Sequence, residues 1–347
     1  MLSCNPVYSR KHRYILQWHI TDICNLRCTH CYQNGEAAQT MSRVGLEKVL
    51  EKFSSYIGNR ANAWGQINIA GGEPFLCKEL EWLLQQIHSQ GRSLRYSILS
   101  NGTILSWEHV EMLQRYPPLF IQVSIDGTEK KHDSIRGKGA YRKAVLGMQK
   151  LVANGIRTII SFTAHRTNYK EFADVVQLGK DIGVAKVWAD RVIPSGRGRA
   201  FADTLLSPDE TRWFTYLIKY EQLKARMSPW CSTEITSNRA LQFLSFVDPP
   251  YSCSAGKNLV ALLPNGNLLA CRRLPIVLGN IHRHSFAEIF ENNPLVSALH
   301  ETQEPSAGCE QCFFAKFCRG GLRCLSYAVY GSPNRADPGC WRARNKK

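Results

Sequence analysis

A chain of 347 residues with 44% hydrophobic and 21% charged residues can bury a large core, and this composition excludes disordered and fibrous proteins. No apolar run reaches the ~18 residues needed to cross a bilayer, and the polar, basic residues 1–13 carry no secretory signal; a membrane protein and a secreted scaffold are excluded, and a cytoplasmic location is expected. The 44 Lys and Arg against 28 Asp and Glu give +16, which favours an acidic partner, while 13 cysteines without an export signal point to metal or redox chemistry rather than disulfides.

In chain order, six β-rich runs come first, at 14–20, 67–70, 94–99, 120–125, 157–163 and 186–193, with helical patterns between them. Within 140–153, Tyr141, Val145, Met148 and Val152 recur at three- and four-residue steps and predict one apolar stripe. Ser207-Pro208-Asp209-Glu210 announces a helix start: a capping Ser, Pro at the first helical position and Glu three residues after the cap. Six strand–helix units of about 35 residues each have the size of a βα repeat, and such alternation implies a parallel sheet. A closed eight-unit barrel takes ~250 residues, so the α/β body is expected to be a partial (β/α)6 barrel or an open sheet.

Cysteine usage divides the chain into a body, 1–230, and a cysteine-rich α+β tail, 231–347. In the tail, runs at 259–263 and 268–271 flank Pro264-Asn265-Gly266-Asn267 and predict a hairpin. Beyond Glu301 the sequence is rich in Gly and Cys with little periodicity, so metal is expected to hold it together. Cys4, Cys77 and Cys231 stand apart and are expected to be buried or incidental thiols.

Cys24-Asn25-Leu26-Arg27-Cys28-Thr29-His30-Cys31 sets three thiols directly after the first strand. A structural [4Fe–4S] cluster or a zinc site takes four ligands, so three thiolates leave one iron open, unless His30 or a distant thiol completes a zinc site. Gly71-Gly72-Glu73-Pro74 follows the second run, where glycines let backbone approach a ligand closely and Glu73 can accept from an ammonium group. Ser100-Asn101-Gly102 follows the third run and Ser124-Ile125-Asp126-Gly127 the fourth. All four signals fall at the carboxyl ends of strands, where α/β folds bind ligands.

CNLRCTHCY followed by GGEP resembles the radical S-adenosylmethionine (SAM) superfamily. The resemblance implies that Cys24, Cys28 and Cys31 hold a [4Fe–4S] cluster whose fourth iron binds the amine and carboxylate of SAM. One electron then cleaves SAM to methionine and a 5′-deoxyadenosyl radical that abstracts a substrate hydrogen. It also implies Tyr32 beside the adenine, Glu73 within the Gly71-Gly72-Glu73 turn holding the methionine ammonium, and Ser124 and Arg136 reaching the ribose and carboxylate. Cys253, Cys271, Cys309, Cys312, Cys318, Cys324 and Cys340 resemble the SPASM extension of that superfamily, where seven cysteines bind two auxiliary [4Fe–4S] clusters. Here five residues rather than three separate Cys318 from Cys324. Mapping by order gives Cys309, Cys312, Cys318 and Cys340 to one cluster and Cys253, Cys271 and Cys324 to the other, one ligand short.

The resemblance therefore implies an anaerobic radical SAM enzyme acting on a peptide or protein, as a maturase of a ribosomally made peptide that forms a thioether or carbon–carbon cross-link. A sulfatase-type formylglycine maturase and a haem-pathway enzyme are the alternatives within that class, and a zinc-stabilised nucleic-acid-binding protein is the alternative outside it. An electron donor such as flavodoxin or ferredoxin is the expected partner. The basic stretches 134–170 and 191–202 could border the rim and receive an acidic leader, or form a solvated face. No peptide-binding domain fits before the first strand, so leader recognition is expected to fall to the body or to a separate protein. His165, Asp190 and Asp126 are candidate acid–base groups near the rim, none of them nominated as the base.

Overall fold

The computed structural model describes residues 12–33, 38–228, 232–236, 240–245, 251–300 and 304–343. Seven parallel strands run in sequence order: β1 (His12–Thr21), β2 (Ala63–Gly71), β3 (Leu94–Ser100), β4 (Ile121–Ser124), β5 (Thr158–Ala164), β6 (Lys186–Arg191) and β7 (Glu234–Thr236). The connections carry α1 (Arg43–Gly58), α2 (Leu80–Ser89), α3 (Trp107–Arg115), α4 (Glu129–Arg136), α5 (Ala140–Ala153), α6 (Phe172–Ile182) and α7 (Pro208–Met227). This is the partial barrel expected from the alternation, with every strand's carboxyl end on one rim. The second strand starts four residues before the expected run, because its first residue pairs with β1, His12 against Ala63, whatever its own propensity.

The tail joins the same sheet. After β8 (Leu259–Leu262), β9 (Asn267–Cys271) and β10 (Leu274–Asn280) complete an antiparallel meander, and β8 pairs in parallel with β1, Ile15 against Leu259. The sheet order is β10-β9-β8-β1-β2-β3-β4-β5-β6-β7. Four short helices follow: α8 (Phe286–Phe290), α9 (Pro294–His300), α10 (Ala315–Cys318) and α11 (Arg323–Tyr330). The compositional division at 230/231, like Cys4 and Cys231, lies outside the described residues. β7, beyond that division, continues the body's sheet by pairing with β6.

One core runs through both parts, from Leu16, Trp18 and Phe53 under the sheet to Phe286 and Ile289 of α8. The apolar stripe of α5 is displaced from the expected one. Ala140, Ala144, Gly147, Met148 and Leu151 are buried, whereas Tyr141, Val145 and Val152 sit at the edge of the contact. Small residues at the centre let the helix approach the chain closely: a Cβ on Gly147 would collide with the carbonyl of Gly102. The helix start at Ser207 forms as expected, with Ser207 and Glu210 capping each other's backbone N–H.

Candidate active site

The segment that follows β1 carries Cys24, Cys28 and Cys31 across the rim, and three neighbours pin it. From β2, Gly72 N–H donates to Thr21 O (2.7 Å) and Glu73 N–H to Ile23 O (2.8 Å). From below, Thr29 N–H donates to Ile135 O near the end of α4 (2.9 Å). Beyond β6, Arg197 N–H and Gly198 N–H donate to the carbonyls of Gln33 and Cys31 (3.1 and 2.9 Å). The sulfurs accept backbone hydrogen bonds, Leu26 N–H to Cys24 and Gln33 N–H to Cys31. Burial raises the pKa of Cys24 and of Cys28, the latter opposed by Arg136.

The glycine pair also meets a neighbour within the chain. A Cβ on Gly71 or Gly72 would collide with the carbonyls of Thr21 and Ile23, so these glycines admit the chain's own backbone at the foot of the cysteine segment. Both still line the cavity. Glu73 lies behind that wall, sealed from solvent. Its carboxylate accepts from Ser100 Oγ (2.9 Å), Asn101 N–H (2.8 Å) and Phe75 N–H (3.3 Å). Burial nevertheless pushes its pKa up to about 7. Asn101 also donates to Asn25 Oδ1 (2.9 Å), which ties the end of β3 to the cysteine segment.

Arg136, the last residue of α4, donates from Nε to Asp126 (2.6 Å) and places another nitrogen 3.9 Å from Cys28 Sγ. Burial alone would raise the Asp126 pKa, but Arg136, His30 and His132 hold that carboxyl well below its usual range. His30 turns to Asp126 (3.4 Å), and burial lowers its pKa to about 4. Of the three candidate acid–base groups, Asp190 alone lines the cavity, in an ion pair with Arg273; Asp126 and His165 lie behind the wall. Cys77 is buried in the core.

A cavity of about 390 Å³ opens at the rim. Cys24, Cys28 and Cys31 line one part of it, with Tyr32, Ser124 and Arg136; Cys253, Cys271 and Cys324 line another. Cys309, Cys312, Cys318 and Cys340 do not, and they are one another's electrostatic neighbours, as Cys253 and Cys271 are of Cys324. The long spacing before Cys324 is a turn: Arg319, Gly320 and Gly321 all have positive φ and reverse the chain after α10, so that α11 begins at the cavity. Burial pushes the thiols of Cys318 and Cys324 up to about 12, as expected for sulfurs that metal, rather than water, would deprotonate. Among the described residues no three His, Cys, Asp or Glu side chains converge on one ion-sized point. A four-iron cluster does not ask for that, since each thiolate takes a different corner. Three thiols on one wall and four in a separate patch therefore fit cluster ligation.

Among the described residues the wall carries five guanidinium groups, Arg136, Arg197, Arg272, Arg273 and Arg323, against the single carboxylate of Asp190. Arg272 stacks on Tyr32 at 4.4 Å and donates to its carbonyl (3.1 Å), and His19 meets the same ring edge-on. The Nε atoms of Arg197 and Arg272 are buried without a hydrogen-bond partner among the described residues. Of the cations in the two basic stretches, Arg136 and Arg197 reach the cavity, Arg142 and Arg166 pair with Glu129 and Glu210, and Arg191 pairs with buried Asp337.

The Radical SAM superfamily matches residues 18–179, and the iron–sulfur cluster-binding SPASM domain matches residues 253–313. The chain is a radical SAM enzyme with a SPASM domain. Its cofactors are SAM and [4Fe–4S] clusters, which sets aside the zinc-stabilised nucleic-acid alternative. An AdoMet-dependent heme synthase of Methanosarcina barkeri is 27% identical over 96% of this chain and 97% of its own. The antilisterial bacteriocin subtilosin biosynthesis protein AlbA of Bacillus subtilis is 26% identical over 87% of this chain and 65% of its own. Streptococcus suis SuiB, solved with its precursor peptide SuiA, superposes with a TM-score of 0.74 at 15% identity, covering 94% of this chain and 75% of that one. The SPASM match ends at Phe313, so Cys318, Cys324 and Cys340 lie beyond it.

Sequence reasoning missed the floor of the cavity. Gln17, Asn68, Gln122, Ser161 and Trp188 line it from β1, β2, β4, β5 and β6, and Trp188 Nε1–H donates to Gln122 (3.2 Å). The signal was available, since each polar member interrupts an apolar strand at an inward position. Arg272 and Arg273 carried no such mark.

Proposed function

We propose that this radical SAM/SPASM enzyme modifies a peptide or protein substrate, as a maturase that closes a thioether or carbon–carbon cross-link. The observation that carries this reading is the single cavity walled by both cysteine trios, with five arginines around it. With cluster and SAM bound, reductive cleavage of SAM supplies a 5′-deoxyadenosyl radical that takes a hydrogen atom from the substrate.

Cys24, Cys28 and Cys31 are the ligands of the SAM cluster in this reading, and Tyr32, backed by His19 and Arg272, sits beside the adenine. Arg136, held by Asp126, offers its remaining N–H groups to the methionine carboxylate, and Ser124 reaches the ribose. Gly71 and Gly72 present backbone to the methionine ammonium, with Glu73 supplying negative charge from behind. Cys309, Cys312, Cys318 and Cys340 hold one auxiliary cluster. Cys253, Cys271 and Cys324 would hold the other, with room for a substrate thiolate unless another group of the chain completes it. Arg197 and Arg272, which have no carboxylate partner among the described residues, orient an anionic group of the substrate, whereas Arg323 is held by Pro333, Leu299 and Asn334. A flavodoxin or ferredoxin would deliver the electron.

A haem-pathway substrate is the second reading, favoured by the full-length match to the heme synthase and by the same cationic wall. Anaerobically reconstituted enzyme with SAM and a reductant, offered a precursor peptide or an iron porphyrin, separates the two by mass spectrometry of substrate and 5′-deoxyadenosine. A peptide that loses hydrogens supports the first reading, and an altered porphyrin replaces it with the second. About twelve iron and twelve sulfide per chain correspond to three clusters, and about four would reduce the tail to a scaffold.

A further inference from the structure

α7 has two apolar faces. Phe214, Ile218 and Ala225 are buried against the barrel, as a crossover helix requires. On the opposite side, Trp213, Tyr216, Tyr220, Leu223 and Met227 follow one another at steps of three, four, three and four residues. They are between 45% and 82% exposed. That spacing draws one narrow stripe along the helix, the pattern of a helix that receives another helix. Large apolar side chains scattered singly need no explanation; five in register do. The stripe is held in place, with Trp213 edge-on to Tyr169 at 5.3 Å and Arg212 over Tyr216 at 5.7 Å. No residue of α7 lines the cavity, so catalysis does not account for it.

The flanks select the occupant. Arg212 and Arg226 border one side of the stripe and Lys224 the other, all exposed. Of the acids near it, Glu210 pairs with Arg166, Glu221 is buried, and Asp209 sits in the first turn, where it complements the helix's own N–H groups. A second copy of α7, parallel or antiparallel, would set like charges against each other along both flanks. We propose that this face of α7 docks an amphipathic helix of another polypeptide whose apolar stripe is flanked by Asp and Glu. The surface lies apart from the catalytic cavity, so the inference stands or falls independently of the substrate.

The test uses the full chain with bound clusters and two fluorescent synthetic helical peptides. Both carry Leu at the apolar positions, and the flanking positions are all Glu in one and all Lys in the other. Fluorescence anisotropy is expected to show binding of the acidic peptide alone, weakening as salt is raised. Tyr216→Ser with Tyr220→Ser, both exposed, should weaken it by about tenfold or more while iron content stays unchanged. Neutralising the flanks with Arg212→Gln, Lys224→Gln and Arg226→Gln should abolish the preference for acid, and the corresponding three Glu substitutions should transfer it to the basic peptide. Equal binding of both peptides, or of neither, overturns the proposal. So does sedimentation showing a dimer that the two Tyr→Ser changes dissociate, because the occupant would then be a second copy.

Discussion

At Asp126 a carboxylate sealed from solvent faces Arg136, His30 and His132, and its other oxygen accepts from Thr163 N–H (3.1 Å). Asp126→Asn would leave Arg136 buried beside Cys28 without its counter-charge. Removing one partner of such a pair costs about 3–5 kcal/mol, and denaturant unfolding of the variant should show a loss of that order. Glu73 behaves oppositely. Its folded pKa of about 7 lies above the unfolded value of 4.5, so the folded state binds the extra proton. Its contribution to stability is therefore full below pH 4.5 and falls as pH rises to about 7. In SAM-free protein, the stability of wild type relative to Glu73→Gln should fall by up to about 3 kcal/mol across that window, as read from unfolding at several pH values. A pH-independent difference would mean that the carboxylate is already ionised. The cysteine motif was legible because its spacing is local. The seclusion of Glu73 was not, because Ser100 and Asn101 reach it across the sheet from another strand.

Elements were read well where their ends carry their own chemistry. Ser207 caps α7 with Glu210, and Ser207→Ala should lower stability by about 1 kcal/mol in thermal unfolding. α5 was located correctly, yet its buried face was displaced, because side-chain size at Ala144 and Gly147 outweighed hydrophobicity at Tyr141 and Val145. The partial barrel followed from the alternation of strands and helices. The attachment of the tail hairpin to β1 did not, since no local pattern reports a partner so distant in sequence. The turn at 319–321 has the sharpest consequence at this scale. If it delivers Cys324 to the cavity as a cluster ligand, Cys324→Ala should change the paramagnetic signature of one auxiliary cluster and leave the SAM cluster alone. Two unaltered auxiliary signals would overturn the assignment.

At the scale of the molecule, burial lowers the pKa of His19 to about 3 and of His132 and His165 to about 4, against 6.5 when unfolded. The unfolded chain binds those protons first, so this stability is full above pH 6.5 and drains away as pH falls towards 4. The midpoint of thermal unfolding of cofactor-free protein should accordingly drop between pH 6.5 and 4, before most carboxylates titrate; a flat profile would mean that these imidazoles are solvated. Among the described residues no helix is long and apolar enough to cross a membrane.

The pairing of β8 with β1 also bears on how the protein is made. Ribosomes release β1 early and β8 only after Leu259 has emerged, so for most of synthesis one edge of β1 has no neighbour from the tail. The strand that leads into Cys24 therefore completes its hydrogen bonding only when the tail arrives. A nascent chain halted before that point exposes an open sheet edge next to three thiols. A barrel fragment made without β8 should therefore aggregate more readily than the full chain, as light scattering would show.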